Sequence, residues 1–264
     1  MRSLLRLTSY AAALFVLAGV SVQAQDFSRN FQLAPEGSVN IQNVSGDVSL
    51  SGYDGNVITV VGTKKGRDRE MLQVEDRSTV NRIDIRVKYP ENCNCDASID
   101  FEVRVPKGQR YSFDSVASVS GSVSVAGVTG DLKARSVSGE VIVKNVSGRT
   151  TAMSVSGRVI VEEAAGSVSA KSTSGEVVVL INRLEGTEPM DFSSVSGSVN
   201  VKLPSNLDAN VEMSVLTGDL KTDFPLQIEE KERGPGRRAS GTIGSGARKL
   251  SLKSVSGSVS LLKL

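Results

Sequence analysis

The stretch that decides the fold is Ser118 to Gly175: SVSGSVSVAGVTGDLKARSVSGEVIVKNVSGRTTAMSVSGRVIVEEAAGSVSAKSTSG. Glycines fall every nine residues, at Gly121, Gly130, Gly139, Gly148, Gly157, Gly166 and Gly175. Every second one closes a near-identical tetrapeptide: Ser118-Val-Ser-Gly121, Ser136-Val-Ser-Gly139, Ser154-Val-Ser-Gly157 and Ser172-Thr-Ser-Gly175. The larger period is therefore eighteen, two nonapeptides per unit, and such self-similarity is the mark of a stacked repeat architecture.

The residues between glycines explain the repeat. Two positions after each glycine stand Val123, Leu132, Val141, Thr150, Val159, Val168 and Val177, and four positions after stand Val125, Ala134, Val143, Ala152, Val161, Ala170 and Val179. Alternation of β-branched and small apolar residues describes a strand with one buried face. Seven positions after the glycines come Val128, Val137, Val146, Val155, Ala164 and Thr173, which read as a third inward position. One nonapeptide cannot cover its own apolar face, so the units must stack at a spacing of about 4.8 Å, each strand pairing with its copies above and below. Gly and Ser suit the corners, where the chain bends and positive φ is needed. Outward, Ser122, Glu140, Arg158, Glu176 and Ser198 form a ladder in which Arg158 lies between two acids.

The register extends both ways. It appears at Ser45-Gly46 with Val48 and Leu50, and at Gly55. It returns at Val195-Ser-Gly197, at Thr217-Gly218, and at Ser254-Val-Ser-Gly257 with Val259, Leu261 and Leu264. Insertions break it at 182–191 and 224–250. The fold expected is an all-β parallel β-solenoid (β-helix) of about 18 residues per coil with a less regular, strand-rich N-terminal cap. Three parts follow: residues 1–24 as a signal peptide, 25–115 as the strand-rich region and first coils, and 116–264 as the repeats with the insertion at 224–250. Residues 25–38 read as an irregular lead-in. Strands are expected at Val57–Val61, Arg82–Val87 and Ile99–Val105, with a charged turn at Lys64–Glu70. The Gly-rich, charged segment 227–248 reads as a mobile loop.

Arg2 and Arg6, the apolar run Tyr10 to Val20, and small residues at Val22 and Ala24 make a secretory leader with cleavage expected after Ala24. No Cys follows that run and no later stretch is long and apolar enough for a membrane helix. Of the 31 basic residues in the chain, two lie in the leader, leaving 29 against 29 acidic ones and no global field for nucleic acid.

Composition excludes several chemistries. The 264 residues are 39% hydrophobic but only 4% aromatic, and hold neither Trp nor His. Without His there is no Ser-His-Asp or Cys-His catalysis and no His-ligated metal. Cys93 and Cys95, a lone C-x-C in an exported chain, are expected to form a disulfide in a small ring or to stay inert, and do not complete a zinc site. The mass of the unreduced protein tests this, since two alkylatable thiols would defeat the disulfide. Calcium-binding repeats need an Asp in each turn, and Asp131 is the only one in the regular run. No paired carboxylates are placed as in glycoside hydrolases, and Gly244-Ser-Gly246 lacks the lysine of a phosphate loop. No catalytic residue, cofactor or metal is expected. Arg237 and Arg238 are candidate contacts for an anionic glycan or lipid.

The chain resembles the bacterial adhesin family of β-strand repeats, a family of unknown function. The resemblance is carried by Ser51-Gly-Tyr-Asp-Gly55, Phe101-Glu-Val-Arg-Val-Pro-Lys-Gly108, the Ser-Val-Ser-Gly repeats, Leu216-Thr-Gly-Asp-Leu-Lys-Thr-Asp-Phe-Pro225 and the stretch Gly241 to Leu264. It implies a parallel β-solenoid of the cell envelope and suggests adhesion, with no binding residues to carry over. The function expected is therefore a non-enzymatic secreted, periplasmic or cell-surface protein, adhesin-like or scaffolding, whose partner is a glycan or envelope protein. The alternatives are a carbohydrate-active β-helix enzyme, or a regulatory envelope module that takes a partner by strand addition on an end edge within Leu252–Leu264.

Overall fold

The computed structural model describes residues 26–230 and 235–264; the expected leader lies outside them. The first strands are β1 (Phe27–Phe31), β2 (Ser38–Gln42), β3 (Val48–Tyr53), β4 (Ile58–Lys65), β5 (Gln73–Asp76), β6 (Arg82–Lys88), β7 (Ser98–Pro106) and β8 (Arg110–Ser118). The regular repeat supplies β9 (Val123–Ser136), β10 (Val141–Ser147), β11 (Thr150–Ser154), β12 (Val159–Glu162), β13 (Val168–Ser172), β14 (Val177–Leu180), β15 (Met190–Ser196) and β16 (Val199–Leu203). Last come β17 (Ala209–Thr217), β18 (Leu220–Thr222), β19 (Gln227–Glu230), β20 (Arg237–Ile243), β21 (Arg248–Ser256) and β22 (Val259–Lys263). One short 3-10 turn, Arg69–Met71, interrupts the strands.

These strands build two faces joined at two corners. Across the first face the order is β1, β4, β7, β3, the start of β9, β10, β12, β14, β16, β22, β18. Across the second it is β5, β6, β2, β8, the end of β9, β11, β13, β15, β21, β17, β20, β19. Pairing is parallel except at the ends, where β1 and β4, β5, and β20 with β19 run antiparallel. In the regular part each residue pairs with the one eighteen positions on: Val141 with Val159, and Val159 with Val177. The columns Val123–Val141–Val159–Val177 and Leu132–Thr150–Val168 are buried, and the inward residues of both faces join one hydrophobic core. Small aliphatics fill most of the regular coils; the buried rings Phe27, Phe101, Tyr111 and Phe113 sit toward the N-terminal end, and Phe192, in register with Ala170, and Phe224 lie toward the other.

Neither outer coil follows chain order. At the N-terminal end, β2 and β3 lie between β6–β7 and β8–β9. At the other end, β21 and β22 lie between β15–β16 and β17–β18. Leu252–Leu264 is thus largely an interior rung flanked on both sides, and it offers no free edge for strand addition. In the segment expected as a mobile loop at 227–248, of which 231–234 lie outside the described residues, Gln227–Glu230 and Arg237–Ile243 form the antiparallel β19–β20 pair, and β20 pairs with β17. The lead-in at 25–38 holds β1, paired with β4. Both are strands because each completes the hydrogen bonding of an edge that would otherwise stay open.

The third apolar position divides. Val128, Val146 and Ala164 are buried, but Val137 and Val155 are exposed and so is Thr173. Alternation explains the split. From Leu132 inward, Ala134 and Ser136 follow on the same side, so Val137 points out. On the other half-repeat, Gly127, Asn145 and Glu163 adopt left-handed backbone, with φ of 66°, 50° and 55°. That single twist shifts the phase, and the next residue turns inward.

Candidate functional site

The two corners are built differently. At the Ser-Val-Ser-Gly corner the first serine points in and is buried, and its hydroxyl serves two rungs. Ser136 Oγ donates to the Gly121 carbonyl at 2.8 Å and accepts the Gly139 N–H at 2.9 Å. Ser154 and Ser172 repeat the pattern on Gly139 with Gly157, and on Gly157 with Gly175. Ser118, Ser194 and Ser254 donate in the same way to Gly46, Gly175 and Gly197. At one end Asn43 takes the serine's place, its Nδ2 bonding the carbonyls of Gly46 and Ile99. Glycine is required here by close approach: a Cβ on Gly157 would stand 1.9 Å from the Gly139 carbonyl oxygen.

Either side of this serine column the side chains point outward. One ridge is Val44, Val119, Val137, Val155, Thr173, Val195, Val255 and Leu216, taken rung by rung, whose apolar members are 40–51% exposed. The other ridge includes Ala117, Arg135, Met153, Lys171 and Ser193. Between them runs a groove of about 700 Å³ spanning the rungs from Gln42 to Val195. A second hollow of about 360 Å³ continues it past Val195 to Leu216, with Arg238, Lys253, Ser193 and Ser214 on its wall. Among the described residues no carboxylate and no aromatic ring lines either part. Lys171 pairs with Asp191 at 2.5 Å. The corner's backbone groups are taken by neighbouring rungs: Val137 and Ser138 donate to the Ser118 and Val119 carbonyls, and Val155 and Ser156 to those of Ser136 and Val137.

The opposite corner is irregular and charged. Glu188, from the insertion at 182–191, accepts Arg149 at 2.7 and 3.1 Å and the Ser167 hydroxyl at 2.9 Å. These bonds, Arg149 foremost, hold its carboxyl below the usual glutamate range. Asp131 accepts from Arg110 at 2.9 Å. Asp208 is likewise held low, chiefly by the Ala247 N–H and then by the Ser245 hydroxyl.

The residues singled out in the sequence fall in separate places. Arg158 bonds Glu140 at 2.9 Å, while Glu176 takes the Asn200 amide at 2.7 Å instead, so the ladder is paired on one side only. Arg237 bonds Asp219 at 2.8 Å, away from the groove wall that Arg238 joins. Cys93 and Cys95 stand with their Cα atoms 5.2 Å apart and their sulfurs in contact, in the loop that replaces the tight corner between β6 and β7. Among the described residues no group of three His, Cys, Asp or Glu side chains is placed to hold a metal, and no helix is long and apolar enough to cross a membrane. The groove itself was missed by sequence reasoning; the signal available was the alternation running from Leu132 through Ser136, which places Val137 outside.

With this geometry in hand, comparison with known proteins gives the class: an all-β repeat domain of the Toastrack kind. The chain belongs to the Toastrack DUF4097 family, which matches residues 35–262. Among solved structures it is similar to a candidate cell adhesion protein from Clostridium sporogenes ATCC 15579, at 9% identity and a TM-score of 0.35, covering 90% of this chain and 99% of that one. It is also similar to a candidate adhesin from Bacteroides fragilis NCTC 9343, at 14% identity and a TM-score of 0.42, covering 90% and 96%. A candidate lipid-binding protein from Parabacteroides distasonis ATCC 8503 matches at 11% identity and a TM-score of 0.24, covering 90% and 96%. These likenesses are too distant to carry a ligand across. No curated protein matches the chain.

Proposed function

We propose that this is an exported, non-enzymatic protein of the cell envelope, adhesin-like in acting by surface contact, and that its partner lies along the Ser-Val-Ser-Gly corner. The reading takes the eighteen-residue unit as one full coil of a parallel β-solenoid with a less regular N-terminal cap. Export rests on the leader at 1–24. The observation that carries the reading is the continuous groove with its exposed apolar ridge, since a long contiguous apolar strip on a soluble surface marks a place of contact. The absence of any lining carboxylate weighs against the carbohydrate-active alternative, which needs two. Glycan and envelope protein are the partner classes that the sequence suggests, and the apolar lining adds a third, taken up below. In the same reading Cys93 and Cys95 form a disulfide; a Cα separation of 5.2 Å suits one.

The test is retention of a component from an envelope extract by the purified exported protein. The double variant Val137→Lys/Val155→Lys changes only exposed side chains, so its melting temperature should be unchanged while the component is lost. Equal retention by the variant would overturn the assignment of the groove.

A further inference from the structure

The inference deepens that reading and rests on it. We propose that the groove takes a linear anionic amphiphile, one acyl chain lying from Val119 to Val195 with its head group in the hollow formed by Arg238 and Lys253.

Length fits first. Five rungs separate the valines at the two ends by four steps, about 19 Å at the spacing of paired strands. One acyl chain spans half a bilayer's hydrocarbon core, about 15 Å. Hydrogen bonding is the second argument. The corner's N–H and C=O groups are used between rungs, and the serine hydroxyls bond glycine carbonyls. An extended peptide would find few partners for its backbone here, and a polar group covered without a partner is costly. A sugar would find no ring to stack on. A hydrocarbon chain asks for neither.

Charge then orients the ligand. In the second hollow, strand register sets Ser193, Lys253, Ser214 and Arg238 side by side across β15, β21, β17 and β20. Two cations and two hydroxyls face outward there; among the described residues no acid lines the hollow, and the row ends beyond it on Glu229, opposite Arg238 on β19. Among the described residues neither Arg238 nor Lys253 forms an ion pair. This is the composition that receives a carboxylate or phosphate. The same positive rim, with Arg135 farther along, opposes docking of a second copy, which would bring like charges together.

The probe is palmitate, titrated calorimetrically into the purified exported protein below its self-association threshold, with uncharged hexadecanol as the partner probe. Palmitate should saturate at one per chain. Arg238→Gln/Lys253→Gln should weaken palmitate at least about tenfold and leave hexadecanol within about twofold, because charge-assisted hydrogen bonds are lost and the apolar contact is kept. Val137→Lys/Val155→Lys should weaken both, its unchanged melting temperature showing that the fold is intact. Absence of saturable palmitate binding, or affinities untouched in both variants, overturns the proposal. Sedimentation with phosphatidylglycerol vesicles without palmitate binding also overturns it, in favour of contact with a bilayer surface. If palmitate fails while Val137→Lys/Val155→Lys still loses its envelope component, the ligand class falls and the contact reading stands; if that variant retains the component too, both fall.

Discussion

The two corners of the coil solve the same turn in opposite ways. At the serine corner the inner rungs repeat their neighbours, with one buried hydroxyl and one glycine pressed against the next carbonyl, while Asn43 and Val215 stand in the serine's place on two outer rungs. At the other corner the chain uses left-handed residues, ion pairs and loops of changing length. The interruptions at 54–81, 181–189, 204–208 and 223–247 all enter between the first face and the second, at the irregular corner. Only the outermost rung breaks the serine corner, through the loop that holds Cys93 and Cys95. A surface feature can run unbroken along a rod only where no loop interrupts the rungs, and here that feature is the groove.

The largest effect should come from glycine at the uniform corner. In Gly157→Ala the new methyl meets a backbone oxygen of the next rung, and the shift needed should cost about 3 kcal/mol. At the irregular corner a Cβ on Gly108 would meet nothing within 4 Å, so Gly108→Ala should stay within about 0.5 kcal/mol. Denaturant melts of the two variants make the comparison, and equal losses would remove the distinction between the corners.

A smaller loss is expected for Ser154→Ala. It leaves the Gly157 N–H and the Gly139 carbonyl without their hydroxyl, at about 1–3 kcal/mol. Ser154→Thr should recover part of this if its hydroxyl takes the same position. A loss no greater than that of an exposed serine such as Ser156 would show that the ladder contributes nothing.

The smallest effect concerns acid. Carboxylates stand at both corners, but at the serine corner they lie outside the buried hydroxyl ladder, as Glu140 does with Arg158, whereas Glu188 ties the insertion of the other corner to the coil. The Glu188 carboxyl is held low by Arg149, so its contribution is full above the ordinary glutamate value of about 4.3 and fades as pH falls through its lower folded value. Glu188→Gln should therefore lower the melting temperature slightly at pH 7, where the pair with Arg149 contributes in full, and flatten its acid dependence below about pH 4.3, where variant and parent converge. An unaltered acid slope would show that the pairing with Arg149 does not matter to the fold.

Much of the coil was legible in the sequence because the same physics acts at every rung. Val123, Val141 and Val159 recur at eighteen residues since each covers the next, and the glycines recur because each must clear a carbonyl. What was hidden depended on single dihedrals or on pairings distant in sequence. Val137 and Val146 look alike in the repeat, and only the left-handed Asn145 separates an inward valine from an outward one. The hydroxyl of Ser136 reads as a turn former until its bond to Gly121 is seen. Arg238 joins Lys253 in one hollow because β20 folds back on β17, an arrangement no local pattern records. The segment that holds β19 and β20, rich in glycine and charge, has the composition of a loop, and those two stretches become strand through the edge they complete.

The interleaving of the outer coils has a consequence for how the molecule comes apart. An ordinary stack can fray from either end, each layer leaving with little penalty to those inside. Here β2–β3 and β21–β22 are held between layers drawn from other parts of the chain, so peeling from an end cannot proceed in sequence order. Unfolding should then resemble the single concerted transition of a globular domain, with the slow refolding that such distant closures impose.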